Sequence, residues 1–180
     1  RAAGRLGLGA DAAAAAETAG LIEFGARVWF RHPLVRSAAY RSASARERYD
    51  VHHALAEATD PGVDPDRRAW HRAQASASPD EEVAAELERS AARAQTRGGL
   101  VAAAAFLEHA AMLTPEPARR SQRELAAAWA KRDAGALDTA LGLLLAVEAG
   151  PPAAVRGAEV ERLRGEIALD RRQGRDAARL

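Results

Sequence analysis

The chain has 180 residues, 26 basic and 25 acidic, for a net charge of +1 at pH 7. So even a balance lacks the basic footprint of a nucleic-acid binder. It contains no cysteine, which excludes disulfides and thiolate metal sites and fits a reducing, cytoplasmic setting. No apolar run reaches the roughly 18–20 residues of a membrane span, and no N-terminal stretch has the layout of a signal peptide. Ala, Leu, Arg and Glu dominate and all favour helix, and alanine lets neighbouring helices approach closely. Lys131 is the only lysine.

In chain order, the first expected helix runs from about Ala10 to Ala19, with Asp11 as its cap and Gly20 as its stop. The runs LIEF and RVWFR are β-favouring, and Gly25-Ala26 between them signals a hairpin. Pro33 suits the first turn of a helix, where its missing N–H has no partner anyway. That helix is expected to turn Leu34, Val35, Ala38 and Ala39 toward a core. Ser44 with Glu47 forms a capping box for a helix reaching about Thr59, with Val51, Leu55 and Ala58 on one face. The stretch DPGVDPD reads as a linker and puts a domain boundary at residues 60 and 61. Asp64 and Pro65 then open a helix that holds Trp70 and ends before Pro79.

From Asp80 onward the pattern is helix after helix. Val83, Leu87, Ala91 and Ala94 form one stripe, stopped by Gly98-Gly99. Leu100 to Thr114 follows, with Ala103, Phe106, Leu107 and Ala110 inward. The next helix carries Leu125 and Trp129 and stops near Gly135. Another carries Leu137, Leu141 and Leu144 and stops at Gly150-Pro151-Pro152. The last carries Val160, Leu163 and Ile167 and stops at Gly174. Gly98, Gly135 and Gly174 lie 37 and 39 residues apart. After Gly98 come Ala103, Leu107, Ala110 and Pro115; after Gly135, at the same offsets, come Ala140, Leu144, Val147 and Pro152. This spacing resembles the second half of a tetratricopeptide (TPR) repeat: a small residue for close approach, a large one to fill the gap, a proline to end the hairpin. The first-half positions match poorly, and a third copy from Gly174 contains only Ala178. Arg1 in place of a methionine, and a final GRDAARL that reads as a helix beginning, suggest a piece of a longer protein.

Helix, hairpin, helix is the layout of a winged-helix unit or its C-terminal part. The fold expected is therefore mainly α: a winged-helix remnant with a short β-hairpin (residues 1–60, including a connecting helix), then a TPR-like α-α superhelix (61–180). The segments FRHPLVRSAAY, ERYDVHHALAEAT, RRAWHRAQA and EVAAELERSAARAQTRGG resemble, in order, the middle of large ATP-binding LuxR-family transcriptional regulators of the STAND class. The resemblance covers nearly the whole chain. It implies an ATPase module upstream, a TPR-like sensor array that receives a protein partner or small-molecule effector, and DNA binding only through a C-terminal domain beyond this chain. In related STAND ATPases a His follows the last winged-helix strand in a Met-His-Asp-type motif and reads the phosphate of bound ADP. His32, in FRHPLV, matches that His; the Asp of the motif is Pro33 here. An imidazole can donate a hydrogen bond to a phosphate oxygen. The other reading of His32 is a helix cap packed on the hairpin.

The chain itself is expected to be neither an enzyme nor a cofactor holder, ATP and ADP belonging to the parent protein. No GxxxxGK[ST] is present, RLGLGAD lacks a lysine and a preceding strand, and Lys131 has no glycine-rich lead. The histidines are His32, His52, His53, His71 and His109. His52 and His53 diverge by about 100° on a helix and cannot easily share an ion, and neither HExxH nor His at i,i+4 occurs. His53 is expected to be partly exposed, and His71 to pack at a helix interface. No Cys and no G-x-S-x-G suggest a nucleophile. ADAAAAAETAG, ahead of the hairpin, has no Arg or Lys for DNA. Arg89, Arg93, Arg97, Arg119, Arg120 and Arg123 either line a concave partner groove or form a salt-bridged face with Glu86, Glu88 and Glu124. Two other readings stay open: a TPR-like protein–protein adaptor with no nucleotide switch, and the regulatory tail of a signalling enzyme.

Overall fold

The computed structural model describes residues 1–24, 28–150 and 154–177. Among these residues it is mainly helical, with ten helices and one two-stranded antiparallel hairpin. The chain divides into two compact units, Arg1–Ala75 and Ser76–Leu180.

The first unit opens with α1 (Ala2–Arg5), which the sequence pattern does not announce, and α2 (Ala10–Thr18). Gly9, not Asp11, is the N-cap of α2; Asp11 sits in the first turn, where its charge favours the helix dipole. Gly20 does end α2. It adopts φ +68, and Leu21 N–H reaches back to Ala16 O at 3.0 Å, a closure that glycine makes without strain. β1 (Ile22–Phe24) pairs with β2 (Val28–Phe30), with Glu23 opposite Trp29. The expected Gly25-Ala26 turn lies outside the described residues. α3 (Pro33–Ser42) begins at the expected proline, but it does not bury its apolar stripe. None of its residues is buried, and Leu34 is 66% exposed.

α4 (Ala45–Ala58) has the full Ser44–Glu47 capping box. Its buried residues are His52, Ala54 and Ala56, while Val51 is exposed. The expected Val51–Leu55–Ala58 face is therefore rotated from the real one. The reason is α5 (Pro65–Gln74), capped by Asp64, which packs on α4 from the side of His52. Residues 60–64 form a tight hydrogen-bonded turn: Gly62 N–H donates to Asp60 Oδ1, and Val63 and Asp64 N–H to Asp60 O. The compact units divide after Ala75, fifteen residues beyond the expected boundary.

The second unit contains α6 (Glu81–Thr96), α7 (Leu100–Leu113), α8 (Pro117–Asp133), α9 (Leu137–Ala149) and α10 (Ala154–Ala177). Each packs on the next, and α10 also meets α8. Gly98 and Gly135, at φ +75 and +79, make the two tight turns. The α6–α7–α8 core is six alanines and Leu107, the close packing the composition implies. The α8–α9–α10 core is bulkier, with Leu125, Leu144, Val147, Val160, Leu163 and Ile167. Val83, Leu87, Ala91 and Ala94 are all buried, as their spacing predicts. Gly174 does not stop α10, which continues to Ala177; a glycine within a helix weakens it but ends it only with a left-handed cap. Ala178 lies outside the described residues.

Candidate functional site

The His32 corner follows from two local rules. A residue before proline is pushed out of the α region, and His32 sits at φ −138, ψ 136. That extended conformation is also what an N-cap needs. Its Nδ1 accepts from Leu34 N–H at 3.1 Å, and its carbonyl accepts from Val35 N–H at 3.0 Å. The ring is thus pinned by its own helix. With Nδ1 accepting, a neutral ring carries its proton on Nε2. The residue is exposed, so this Nε2–H is available to an outside acceptor. The capping and donor readings of His32 are compatible in one geometry. Beside it, Arg31 Nε donates to Glu23 Oε1 at 3.0 Å, and Arg31 N–H closes on Leu21 O. Trp29 on β2 and Leu34 on α3 are exposed at 65% and 66%.

A second constellation joins α3, α4 and α5, and sequence reasoning missed it. His52 Nδ1 lies 2.9 Å from His71 Nδ1, and Tyr40 Oη lies 3.3 Å from His52 Nε2. His52 is buried, and both its ring nitrogens have partners. Burial lowers its pKa; burial first, then the neighbouring His52, lowers that of His71 to about 4. His71 thus does pack at a helix interface. His53 is exposed and stacks on Tyr49, and His109 Nδ1 lies 3.1 Å from Ala105 O. Nothing in the linear pattern links residues 40, 52 and 71. The only signal is the capped helical hairpin that folds α5 onto α4.

Of the six arginines expected on a groove or a salt-bridged face, Arg119, Arg120 and Arg123 make ionic and capping contacts at the start of α8, and Arg93 donates to Ser90 Oγ at 3.0 Å. Arg123, 5% exposed, forks onto Glu81 with two contacts of 2.9 Å, reaches Glu88 at 3.0 Å, and donates to Thr114 Oγ1 at 2.7 Å. Arg119 adds a 2.7 Å contact to Glu81, and Arg120 donates to the Thr114 and Pro115 carbonyls that end α7. The hydrogen bonds from Arg123 outweigh the desolvation of Glu81 and hold its carboxyl at about 2. Between α8 and α10, Arg132 binds Asp170 at 2.7 Å and Glu166 at 2.8 Å, and Arg162 lies 4.4 Å above the Trp129 ring. Lys131 pairs with Glu108.

Among the described residues, no group of three His, Asp or Glu is placed to hold a metal ion, and no helix is long and apolar enough to cross a membrane. No protein-family model, curated protein or solved structure matches this chain.

Proposed function

We propose that this chain is the regulatory and sensor segment of a LuxR-type, ATP-dependent transcriptional regulator. In this reading an ATPase module of the longer protein holds ADP against the hairpin–α3 corner, and His32 Nε2–H donates to its phosphate. The α6–α10 array takes a protein partner or small-molecule effector. Exchange of ADP for ATP then frees a DNA-binding domain elsewhere in the protein. The observation that carries the reading is the exposed His32 ring, pinned through Nδ1 with its other nitrogen turned into a donor.

The test uses the full-length protein. Bound nucleotide is measured after purification, then again in His32→Ala and His32→Asn. Asparagine caps a helix well but lacks the reach of imidazole. Loss of ADP in both variants is expected. ADP kept by His32→Asn as in the parent would reduce His32 to a cap. A parent protein that retains no nucleotide would favour the adaptor reading, which the small-residue packing of α6–α8 accommodates equally.

A further inference from the structure

The Tyr40–His52–His71 chain has a proton capacity set by its geometry. Two Nδ1 atoms 2.9 Å apart need one proton between them. In the neutral state His52 Nδ1–H donates to His71 Nδ1, and Tyr40 Oη–H donates to His52 Nε2. One further proton fits: His52 then carries both N–H groups, and the tyrosine turns its hydroxyl to accept. A second excess proton does not fit. Two N–H groups would face each other with no acceptor between them, on rings packed 5.1 Å apart between centroids.

We propose that Tyr40, His52 and His71 form a proton-operated latch: neutral, it holds α5 on α4; with both rings protonated, it opens and frees α5. The other groups around the pair set its bias. From α5, the Asp64 carboxylate favours a charged His71, and Arg67 opposes it. From α4, Arg48 lies 5.7 Å over the Tyr40 ring of α3 and adds positive charge near the chain. On the opposite side of α4, toward α1, Arg5 pairs with Glu57 and Arg46 with Asp50. His53 stacks on Tyr49 there. The contacts beside the latch are small, since the buried apolar residues of α4 and α5 are Ala54, Ala56, Ala69 and Ala73. The polar chain is thus one of the side-chain contacts that hold α5 on α4. This inference is independent of the nucleotide reading, because it needs only residues of the first unit.

The test is amide hydrogen exchange on the 180-residue chain, as protection factors corrected for intrinsic pH dependence, at pH 7.5 and 5.0. A histidine that titrates at 6.5 when released and at about 4 when latched loses up to about 30-fold in the closed-to-open ratio over that range. Solvent screening makes this an upper bound. α5 protection is expected to fall several-fold or more, with α6–α9 protection unchanged. His71→Gln, which can still hydrogen-bond His52 but cannot charge, is expected to abolish the pH response. Imidazole NMR titration of the unmutated chain provides a reading without a variant: coupled two-step titration below 6.5 is expected. Flat α5 protection, an undiminished response in His71→Gln, or two independent titrations near 6.5 would each overturn the latch.

Discussion

Arg123 offers the sharpest test of how the second unit is held together. Replacing it with alanine removes five charge-assisted or polar contacts at once. Their energies do not add. Breaking a buried ion pair from one side costs about 3–5 kcal/mol. Here Glu81 and Glu88 remain 34% and 53% exposed and can rehydrate, which places the expected loss near the bottom of that range, about 3 kcal/mol. A second route gives the smaller part that Glu81 alone carries. Glu81 titrates at about 2 in the fold against 4.5 unfolded, equivalent to about 3 kcal/mol, reduced to about 1–2 by its solvent contact. Because the folded value is the lower one, that stability is present above 4.5 and is lost as pH falls toward 2. Arg123→Met, which refills the volume without the charge, should cost about 1–2 kcal/mol. The assay is urea unfolding followed by Trp129 fluorescence in a Trp29→Phe, Trp70→Phe background, at pH 7 and pH 3. A loss under about 1 kcal/mol for Arg123→Ala, or an acid sensitivity between pH 4.5 and 3 as large as the parent's, would refute the reasoning.

Gly150→Ala should destabilise the second unit by about 1–3 kcal/mol, because its Cβ would fall 2.6 Å from Ser121 Oγ and 3.2 Å from Val147 O. Partial rescue by Ser121→Ala, read as a recovered Tm, would assign the clash to the hydroxyl. Glu124 lies 37 residues after the fully buried Leu87, the same interval that separates Gly98 from Gly135. Burial raises its carboxyl pKa, with Arg120 partly offsetting it. Its contribution is therefore greatest below the ordinary carboxyl range and is lost as pH rises through the folded value. Glu124→Gln should raise Tm at pH 7 and leave it unchanged at pH 3; equal Tm values at pH 7 would contradict this.

What could be read in advance was local. Ser44–Glu47, Asp64-Pro65, Asp80, Gly98 and Gly135 mark helix ends through contacts within four residues, and all five end helices in the structure. The apolar stripes of α6, α7 and α10 were legible for the same reason: side chains three or four apart share a face whatever they pack on. What failed depended on partners distant in sequence. The face of α4 was misjudged because a histidine, not Val51, meets α5. Arg123 could be placed on α8, but nothing nearby says that it is buried against residues 35 and 42 positions earlier. The His32 cap was legible because its constraint is the proline beside it. Tyr40, His52 and His71 were not, because hydrophobic periodicity assigns interiors to apolar residues and overlooks a polar chain that satisfies itself.

The alanine seam between α6, α7 and α8 has a mechanical corollary. Methyl groups offer no tall knobs, so a smooth seam resists separation but does little to fix the axial position of one helix against another. Here ionic pins do that, and they differ in shielding. Arg123 fastens α8 to α6 with 5% of its own side chain in solvent, though its partner carboxylates face water, whereas Arg132 fastens α8 to α10 with a quarter of its side chain in solvent. Rising ionic strength should therefore soften the α8–α10 side more than the α6–α8 side. The α8–α10 contact would gain more freedom to slide than α6–α8, making α8 the stiff spine of a stack whose compliance is set by the electrolyte around it.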